Sequence, residues 1–378
     1  MERVPTGSRY RYDAAVTAQA ETTRGLSRAL AVRMFRDVLA TQELFAVYLG
    51  VRLGLYDELA AGGPATAAAL AERAGVAPRY AREWLEQQAV AGLLEVDDAA
   101  RPADDRVYSL PAAHAPVLTS SDDPLSMVAA AAFPLGGVAL ALPRLLDAYR
   151  SGEGLPDGEF GDDWRTGHSG GNRALFAHRL VPWLRRFLPD VDARLAAGAR
   201  VADVACGAGW AGIALARAYP EVRVTGLDLD AATLDAAGRH AAEAGVADRV
   251  RFEVRDVAGA ELAGGHDLVC LFDALHEMPR PADVLRSCRR LAAADGCVLV
   301  MDARVREEFT APADEIERYQ YATSVLHCLP AALAARPSEG TGTVLRPGAV
   351  RALAAAAGFA GVELIPIDDR FHRLYRLV

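Results

Sequence analysis

The residues best placed to do chemistry gather around one glycine-rich turn. Asp203 stands inside an apolar run, Val201–Ala205, and Gly207, Gly209 and Gly212 follow it. A helical pattern comes next, then a second apolar run that closes on Asp228, 21 residues after Gly207. Strand, glycine turn, helix and a strand ending in a carboxylate make the nucleotide-binding half of a doubly wound α/β sheet. The glycines let the backbone approach a ligand, the helix start aims its free N–H groups there, and Asp228 can accept both hydroxyls of a ribose. The glycine spacing alone suits a nicotinamide or flavin cofactor equally well. Asp203 separates the options, because a carboxylate so near the turn repels a pyrophosphate and attracts a cationic ammonium, directly or through water. S-adenosylmethionine carries that ammonium and an adenosine but no phosphate, so the pattern favours a methyl donor over a dinucleotide.

A second group lies further on. His276 and Glu277 follow the fourth strand candidate, on the side of a doubly wound sheet where ligands bind. Methyl transfer is an in-line displacement at a sulfonium, so the acceptor must present a lone pair. A hydroxyl acceptor needs a base, and histidine suits that task because it titrates near neutrality. The plainer role for such a histidine is to cap the helix that follows. An acceptor that is already nucleophilic needs alignment only.

The elements that must position these groups alternate from Gly198 onward. Residues 200–205, 222–228, 250–255, 267–272 and 297–302 read as strands of a parallel sheet with helices on both faces. Val362–Ile367 and Phe371–Leu377 are separated only by Asp368, Asp369 and Arg370, so they must form a hairpin, which makes one strand antiparallel. Residues 303–348 form an insertion able to roof a substrate pocket. Residues 151–172, rich in Gly and Asp and carrying Phe160, Trp164 and His168, read as a loop, either a lid or a linker, with the aromatics favouring a lid.

Ahead of this lie helix patterns over 14–40 and 42–61, a Thr66-capped helix Ala67–Ala74 stopped by Gly75, and another opened by Pro78. Short strands at Leu93–Val96 and Arg106–Leu110 complete a winged helix. A winged helix raises the rival reading of a transcriptional regulator. From Gln42 to Pro116, however, 6 Arg stand against 11 Asp and Glu, a balance of −5 and the reverse of a DNA-binding module. The apolar stripe fits a dimer interface better. The expected domains are 14–116 (winged helix and dimerisation), 117–190 (helical linker and lid) and 191–378 (cofactor binding).

Composition narrows the partners. A net charge of −9 offers no overall attraction to nucleic acid or anionic lipid. All 41 basic residues are Arg, a bias to which no function is attached. Five scattered cysteines without a Cys-x-x-Cys pair argue against a disulfide framework and fit a reducing compartment. The N-terminus MERVPTGSRYRYDAA has no apolar signal core. The greasy stretch Val128–Leu146 is interrupted by Pro134, Gly136, Gly137 and Pro143, and reads as buried helix rather than membrane span. A soluble, cytoplasmic protein is expected.

The motifs ADVACGAGWAGIALARAYP, GLDLD, ADRVRFEVRD and FDALHEMPRPADVLR resemble those of class I methyltransferases that use S-adenosylmethionine. The segments LGVRLGLYDELAAGGPATAAALAERAGVAPRYAREWLEQQAVAGLLEV and SVLHCLP…PSEGTGTVLRP are similar to a bacterial group of these enzymes with an N-terminal winged helix. More distantly the layout resembles small-molecule O-methyltransferases. The resemblance implies an α/β, seven-stranded Rossmann-like sheet with an antiparallel last strand, plus an α-rich winged-helix domain that forms a homodimer. It implies S-adenosylmethionine as cofactor and a small-molecule acceptor, with O-methylation ahead of N- or C-methylation. Asp203, Gly207 and Gly209 would hold the methionine end and Asp228, with Leu229 beside it, the ribose. Asp256 would meet the adenine amino group, unless it merely caps a helix, with Val257 supplying backbone; Phe272 would pass beneath the methionine. His276 would fall at the catalytic base and Asp302 at the acidic residue that orients it. Trp164, His327 (with Cys328) and His372 are further pocket candidates, the histidines more often structural than catalytic in such positions. His276, Asp302, His327 and His372 could in principle hold a metal, but their spacing matches no local metal motif and none is expected. A different reaction on the same cofactor is the alternative within this fold.

Overall fold

The computed structural model describes residues 8–119, 123–259 and 263–378, with side chains from residue 22 onward. The chain divides after Ala115 into two compact units, each described here by itself. Residues 1–7 of the expected signal-free start lie outside the described residues.

In the first unit a single helix runs Ser8–Arg52, where a pattern starting at residue 14 and breaking near residue 41 suggests two. Thr41 lies within the unbroken helix, its hydroxyl donating back to the Asp37 carbonyl at 2.8 Å. The break falls instead at Gly54, in the left-handed region (φ 67°) that glycine enters without strain. The helix Leu55–Gly62 follows. Thr66 accepts the Ala69 N–H at 3.3 Å and caps Ala67–Ala74, Gly75 ends it, and Pro78 opens Pro78–Val90, as the capping residues dictate. Strands β1 (Glu95–Val96) and β2 (Tyr108–Ser109) pair antiparallel. They are shorter than expected because Leu93 and Leu94 both donate to the Gln88 carbonyl and finish the preceding helix. Leu55, Tyr56, Leu70, Leu85 and Tyr108 form the buried centre, where the Tyr56 hydroxyl bonds Gln88 and the Trp84 indole donates to the Ala46 carbonyl at 2.9 Å. On the long helix Leu26, Leu30, Phe35, Leu39, Phe45 and Leu49 stay exposed.

The second unit is built on seven strands: β3 (Arg200–Val204), β4 (Arg223–Asp228), β5 (Val250–Val254), β6 (His266–Phe272), β7 (Ala292–Ala303), β8 (Val362–Ile365) and β9 (His372–Leu377). Their order is β5-β4-β3-β6-β7-β9-β8; β9 runs antiparallel to both β7 and β8, and the other pairs are parallel. The central strands are apolar throughout because both faces are buried. Leu268, Cys270, Leu299 and Met301 enter one core, and Val269, Leu271, Val298 and Val300 the other. Strand order reverses around β3, and a crevice opens there beyond the carboxyl ends of the strands. β3, β4, β6 and β7 each deliver a predicted site residue to that end: Asp203, Asp228, Phe272 and Asp302.

Val128–Ser151 is one continuous helix despite its prolines and glycines, with a wide turn over Phe133–Val138. The glycines allow close packing: a Cβ on Gly137 would meet the Trp164 Cβ at 2.7 Å. Val138, Ala141 and Leu145 pack on Phe160 and Trp164, whereas Leu140, Leu142 and Leu146 are exposed. By length and composition alone this helix could cross a membrane, as could Thr22–Arg52 with Leu55–Gly62 if that bent pair were one span. Residues 151–172, expected as a loop, form a turn at Asp157–Phe160 and most of the helix Asp162–Leu175. Tertiary packing overrides the weak helix propensity of Gly167, Gly170 and Gly171. A Cβ on Gly167 would strike the Phe133 backbone nitrogen at 2.8 Å. The 303–348 insertion folds into Glu315–Thr323, a wide turn Ser324–Cys328, and Leu329–Ala334. It meets the 151–172 segment where Leu155 donates to the Pro330 carbonyl at 2.9 Å.

Candidate active site

A cavity of about 840 Å³ occupies the crevice, within the upper range for ligand pockets. Asp203, Gly207, Asp228, Leu229, Asp256, Val257 and Phe272 all line it, as does Trp164 from the Asp162–Leu175 helix.

At the turn, Asp203 is 3% exposed and its Oδ2 accepts the Gly212 N–H at 3.2 Å. Burial pushes this carboxyl up to about 7, with the Gly212 N–H opposing and the Asp228 charge adding to the rise. A cationic ligand group beside it would restore the charged form. Asp228 accepts the Gly207 N–H at 2.9 Å on Oδ2 and the Asp230 N–H at 3.0 Å on Oδ1. Burial raises this carboxyl and the backbone N–H groups counter it. Each oxygen keeps a lone pair for a further donor. Gly207 (φ 50°) and Gly209 (φ 78°) both use left-handed backbone. Gly209 is not in the cavity wall; a Cβ there would strike the Phe252 ring at 2.6 Å, so its task is turn geometry and packing rather than ligand contact. Ala205 (φ 52°) and Asp273 (φ 54°) take the same conformation without being glycine, just past β3 and β6. Such strain costs about 1–3 kcal/mol each and collects at ligand sites. Asp256 accepts the Ala258 N–H at 2.9 Å, and residues 257–259, the described ones that follow it, form a turn.

At the other end His276 and Asp302 meet as the resemblance implies. Nδ1 of His276 lies 2.8 Å from Asp302 Oδ1, Asp302 Oδ2 accepts the His276 backbone N–H at 3.2 Å, and both residues are buried. Burial alone would push the imidazole down; Asp302 first and then Cys328 more than offset it and hold His276 well above the usual value. The ring is not in the cavity wall. Its neighbour Glu277 is, with Oε1 3.7 Å from His276 Nε2. The same oxygen lies 3.2 Å from His327 Nδ1. Burial opposes a charge on Glu277, but the two imidazoles hold its carboxyl well below the ordinary range.

His327 is 1% exposed; Nε2 lies 2.9 Å from Asp157 Oδ1, and the ring meets Trp164 in a tilted contact, 3.5 Å between centroids. Burial lowers this imidazole, while Asp157, Cys328 and Glu277 together push it up to about 11. It therefore belongs to the site without lining the cavity. His372 does not enter the wall either: at the start of β9 its Nδ1 pairs with Asp369 Oδ1 at 3.0 Å, a bond within the hairpin turn. Sequence reasoning left out Glu277 as a site group in its own right, and also Asn172, Trp210 and Arg336 in the wall. Trp210 is fixed by its indole N–H on Ser169 Oγ at 2.9 Å and by Arg173 4.6 Å above its ring. Only the adjacency of Glu277 to His276 could have flagged any of these.

Comparison with known proteins identifies the two domains and the fold. A model described as "Methyltransferase domain" matches residues 195–337, and one described as "Rv2258c-like winged HTH domain" matches 43–120. The ubiquinone biosynthesis O-methyltransferase of Ralstonia nicotianae is 30% identical over 180 residues, 46% of this chain and 71% of that protein. Its counterpart in Pseudomonas aeruginosa UCBPP-PA14 is 36% identical over 104 residues, and the chain spans only 44% of that protein's length. Among solved structures, the mitomycin 7-O-methyltransferase MmcR aligns over 93% of this chain and 99% of its own, with TM-score 0.68 and 20% identity. Human N-acetylserotonin methyltransferase, solved with S-adenosylmethionine, aligns over 92% and 97% with TM-score 0.69 and 18% identity. At such identities these two share the fold. The chain belongs to the class I, S-adenosylmethionine-dependent methyltransferases, with a winged-helix domain preceding the methyltransferase domain.

Proposed function

We propose that this chain transfers the methyl group of S-adenosylmethionine to a hydroxyl of a small-molecule acceptor, with His276 as general base and Asp302 as its positioning partner. The observation that carries the reading is the buried His276–Asp302 pair, 2.8 Å apart, behind Glu277 in the wall of the cavity that Asp203 and Asp228 line. Asp203 would face the ammonium of the methionine end, Asp228 the ribose hydroxyls and Asp256 the adenine. Bound so, the cofactor directs its sulfonium methyl toward the acceptor end. Asp302 accepts the Nδ1–H and leaves the Nε2 lone pair for the acceptor's proton, which the acceptor loses as its oxygen takes the methyl. Residues 151–172 and the 303–348 insertion supply the acceptor's walls through Trp164, His168, Ala331 and Arg336.

A pH titration tests the base. His276 is held above the ordinary imidazole value, so it is cationic below that raised pKa and becomes a base only as pH climbs through it. The rising limb of kcat therefore lies on the alkaline side of 6.5. In Asp302→Asn the carboxylate charge is gone and burial dominates, so His276, followed by NMR of labelled histidine, titrates at lower pH and the kcat limb moves with it. An unmoved His276 titration in that variant contradicts the pairing.

The first unit supplies a homodimer interface. Leu26, Leu30, Phe35, Leu39, Phe45 and Leu49 leave a long apolar face on the Ser8–Arg52 helix, which a second copy would cover. Sedimentation should give twice the 40.1 kDa chain mass, and Phe35→Glu should give the monomer; a monomeric parent protein contradicts this. The free thiols Cys206, Cys270, Cys288, Cys297 and Cys328 suit a reducing, cytoplasmic setting.

A further inference from the structure

We infer that His276, Glu277 and Cys328 form a site for a borderline transition-metal ion, zinc being the best match, whose occupancy silences the base. Nε2 or Nδ1 of His276, a carboxylate oxygen of Glu277 and Sγ of Cys328 all lie within 4.8 Å of one another. Imidazole, carboxylate and thiolate are the three zinc-ligand types, and small side-chain rotations would close them onto an ion at about 2.0–2.3 Å.

Three independent features favour a ligand there. First, the Asp302 carboxylate at 2.8 Å occupies His276 Nδ1 and leaves Nε2 free beside Glu277. A metal-binding histidine is oriented by that same outer carboxylate. Second, the buried atoms Glu277 Oε1 and His327 Nδ1 face each other as an ion pair at 3.2 Å but lack good hydrogen-bond geometry, with each other or with any other partner. Buried polar atoms rarely go unpaired, and each such case calls for a cause. With Glu277 drawn onto an ion, His327 faces the carboxylate from outside the ligand set. Third, Cys328 reaches this point because Ser324–Cys328 is a wide helical turn, an irregularity frequent at functional sites.

Three protein ligands leave a fourth position, and Glu277 in the cavity wall points to its filling by water or an acceptor atom. Imidazole and thiolate ligands bind an ion only in their deprotonated forms, so affinity rises with pH. An ion on Nε2 holds the lone pair that proton abstraction needs. This consequence rests on the proposed methyl transfer; the site itself does not.

Cobalt(II) added to the metal-free full-length protein tests the site without any turnover assay. The expected result is one equivalent bound, with a thiolate-to-cobalt charge-transfer band, intense four-coordinate visible bands, and displacement by zinc. Cys328→Ala should lose the charge-transfer band, and Glu277→Gln, which keeps the side chain's volume, should weaken cobalt binding by roughly tenfold or more. Zinc should suppress methyl transfer reversibly with chelator, and Cys328→Ala should need about tenfold more zinc for the same loss. Calorimetry with S-adenosylmethionine confirms that each variant is folded; its failure in the parent protein would count against the methyltransferase reading and leave the cobalt spectrum to decide the metal site. Absence of a charge-transfer band, or an unchanged band in Cys328→Ala, overturns the inference.

Discussion

Replacing His276 with Ala is expected to lower kcat by roughly 10²–10⁴-fold, the range for removal of a general base, while S-adenosylmethionine affinity changes by less than about twofold. The separation follows from the layout. His276 contacts Asp302, Glu277 and Thr341, whose hydroxyl donates to its carbonyl at 2.7 Å, and none of these is among the residues that cradle the nucleoside. The ring is also locked. Asp302 accepts both its Nδ1–H and its backbone N–H, so the tautomer that presents Nε2 is the one the fold selects. Single-turnover methylation with calorimetry of cofactor binding checks both halves. Undiminished kcat would leave the acceptor activated by alignment alone.

Asp228→Asn should produce the largest loss at the cofactor end. A hydrogen bond to a charged group contributes about 1.5–3 kcal/mol, so losing the charge under the ribose should raise the cofactor Kd by roughly 10- to 150-fold. The damage should extend to the turn. Asp228 accepts the Gly207 and Asp230 N–H groups at 2.9 and 3.0 Å, and an amide can accept on one side only. One of those donors is then opposed by an N–H₂. Circular dichroism should still show a folded protein, since the strand itself is held by its neighbours β3 and β5. Wild-type affinity in this variant would remove Asp228 from the ribose.

The parts of this molecule that were legible in its sequence are those governed by local rules. Thr66, Gly75 and Pro78 set helix ends to the residue because capping and φ are properties of single side chains. The strands of the sheet showed as apolar runs because both faces are buried, and the short Asp368–Arg370 link forced the antiparallel hairpin. Asp203 and Asp228 could be placed because each lies at or next to the carboxyl end of a strand beside the topological switch point, and Phe272 through the family resemblance. Long-range packing hid the rest. Glycines that read as loop in residues 151–172 are where helices touch, as Gly167 does against Phe133. Gly54 looked like an ordinary helical position, yet it carries the break that residue 41 does not. Cys328 meets His276 and Glu277 only through a tertiary fold, so no spacing announced the three as a group. His372, a pocket candidate read as more often structural, pairs with Asp369 three positions away.

The central claim is that the Asp203–Gly207–Asp228 cradle selects a cationic, phosphate-free nucleoside. Isothermal titration of the purified chain with S-adenosylmethionine and, separately, with NAD tests it most directly. One molecule of S-adenosylmethionine per chain with no measurable NAD binding is the predicted result; preference for NAD, or no S-adenosylmethionine binding, would contradict it.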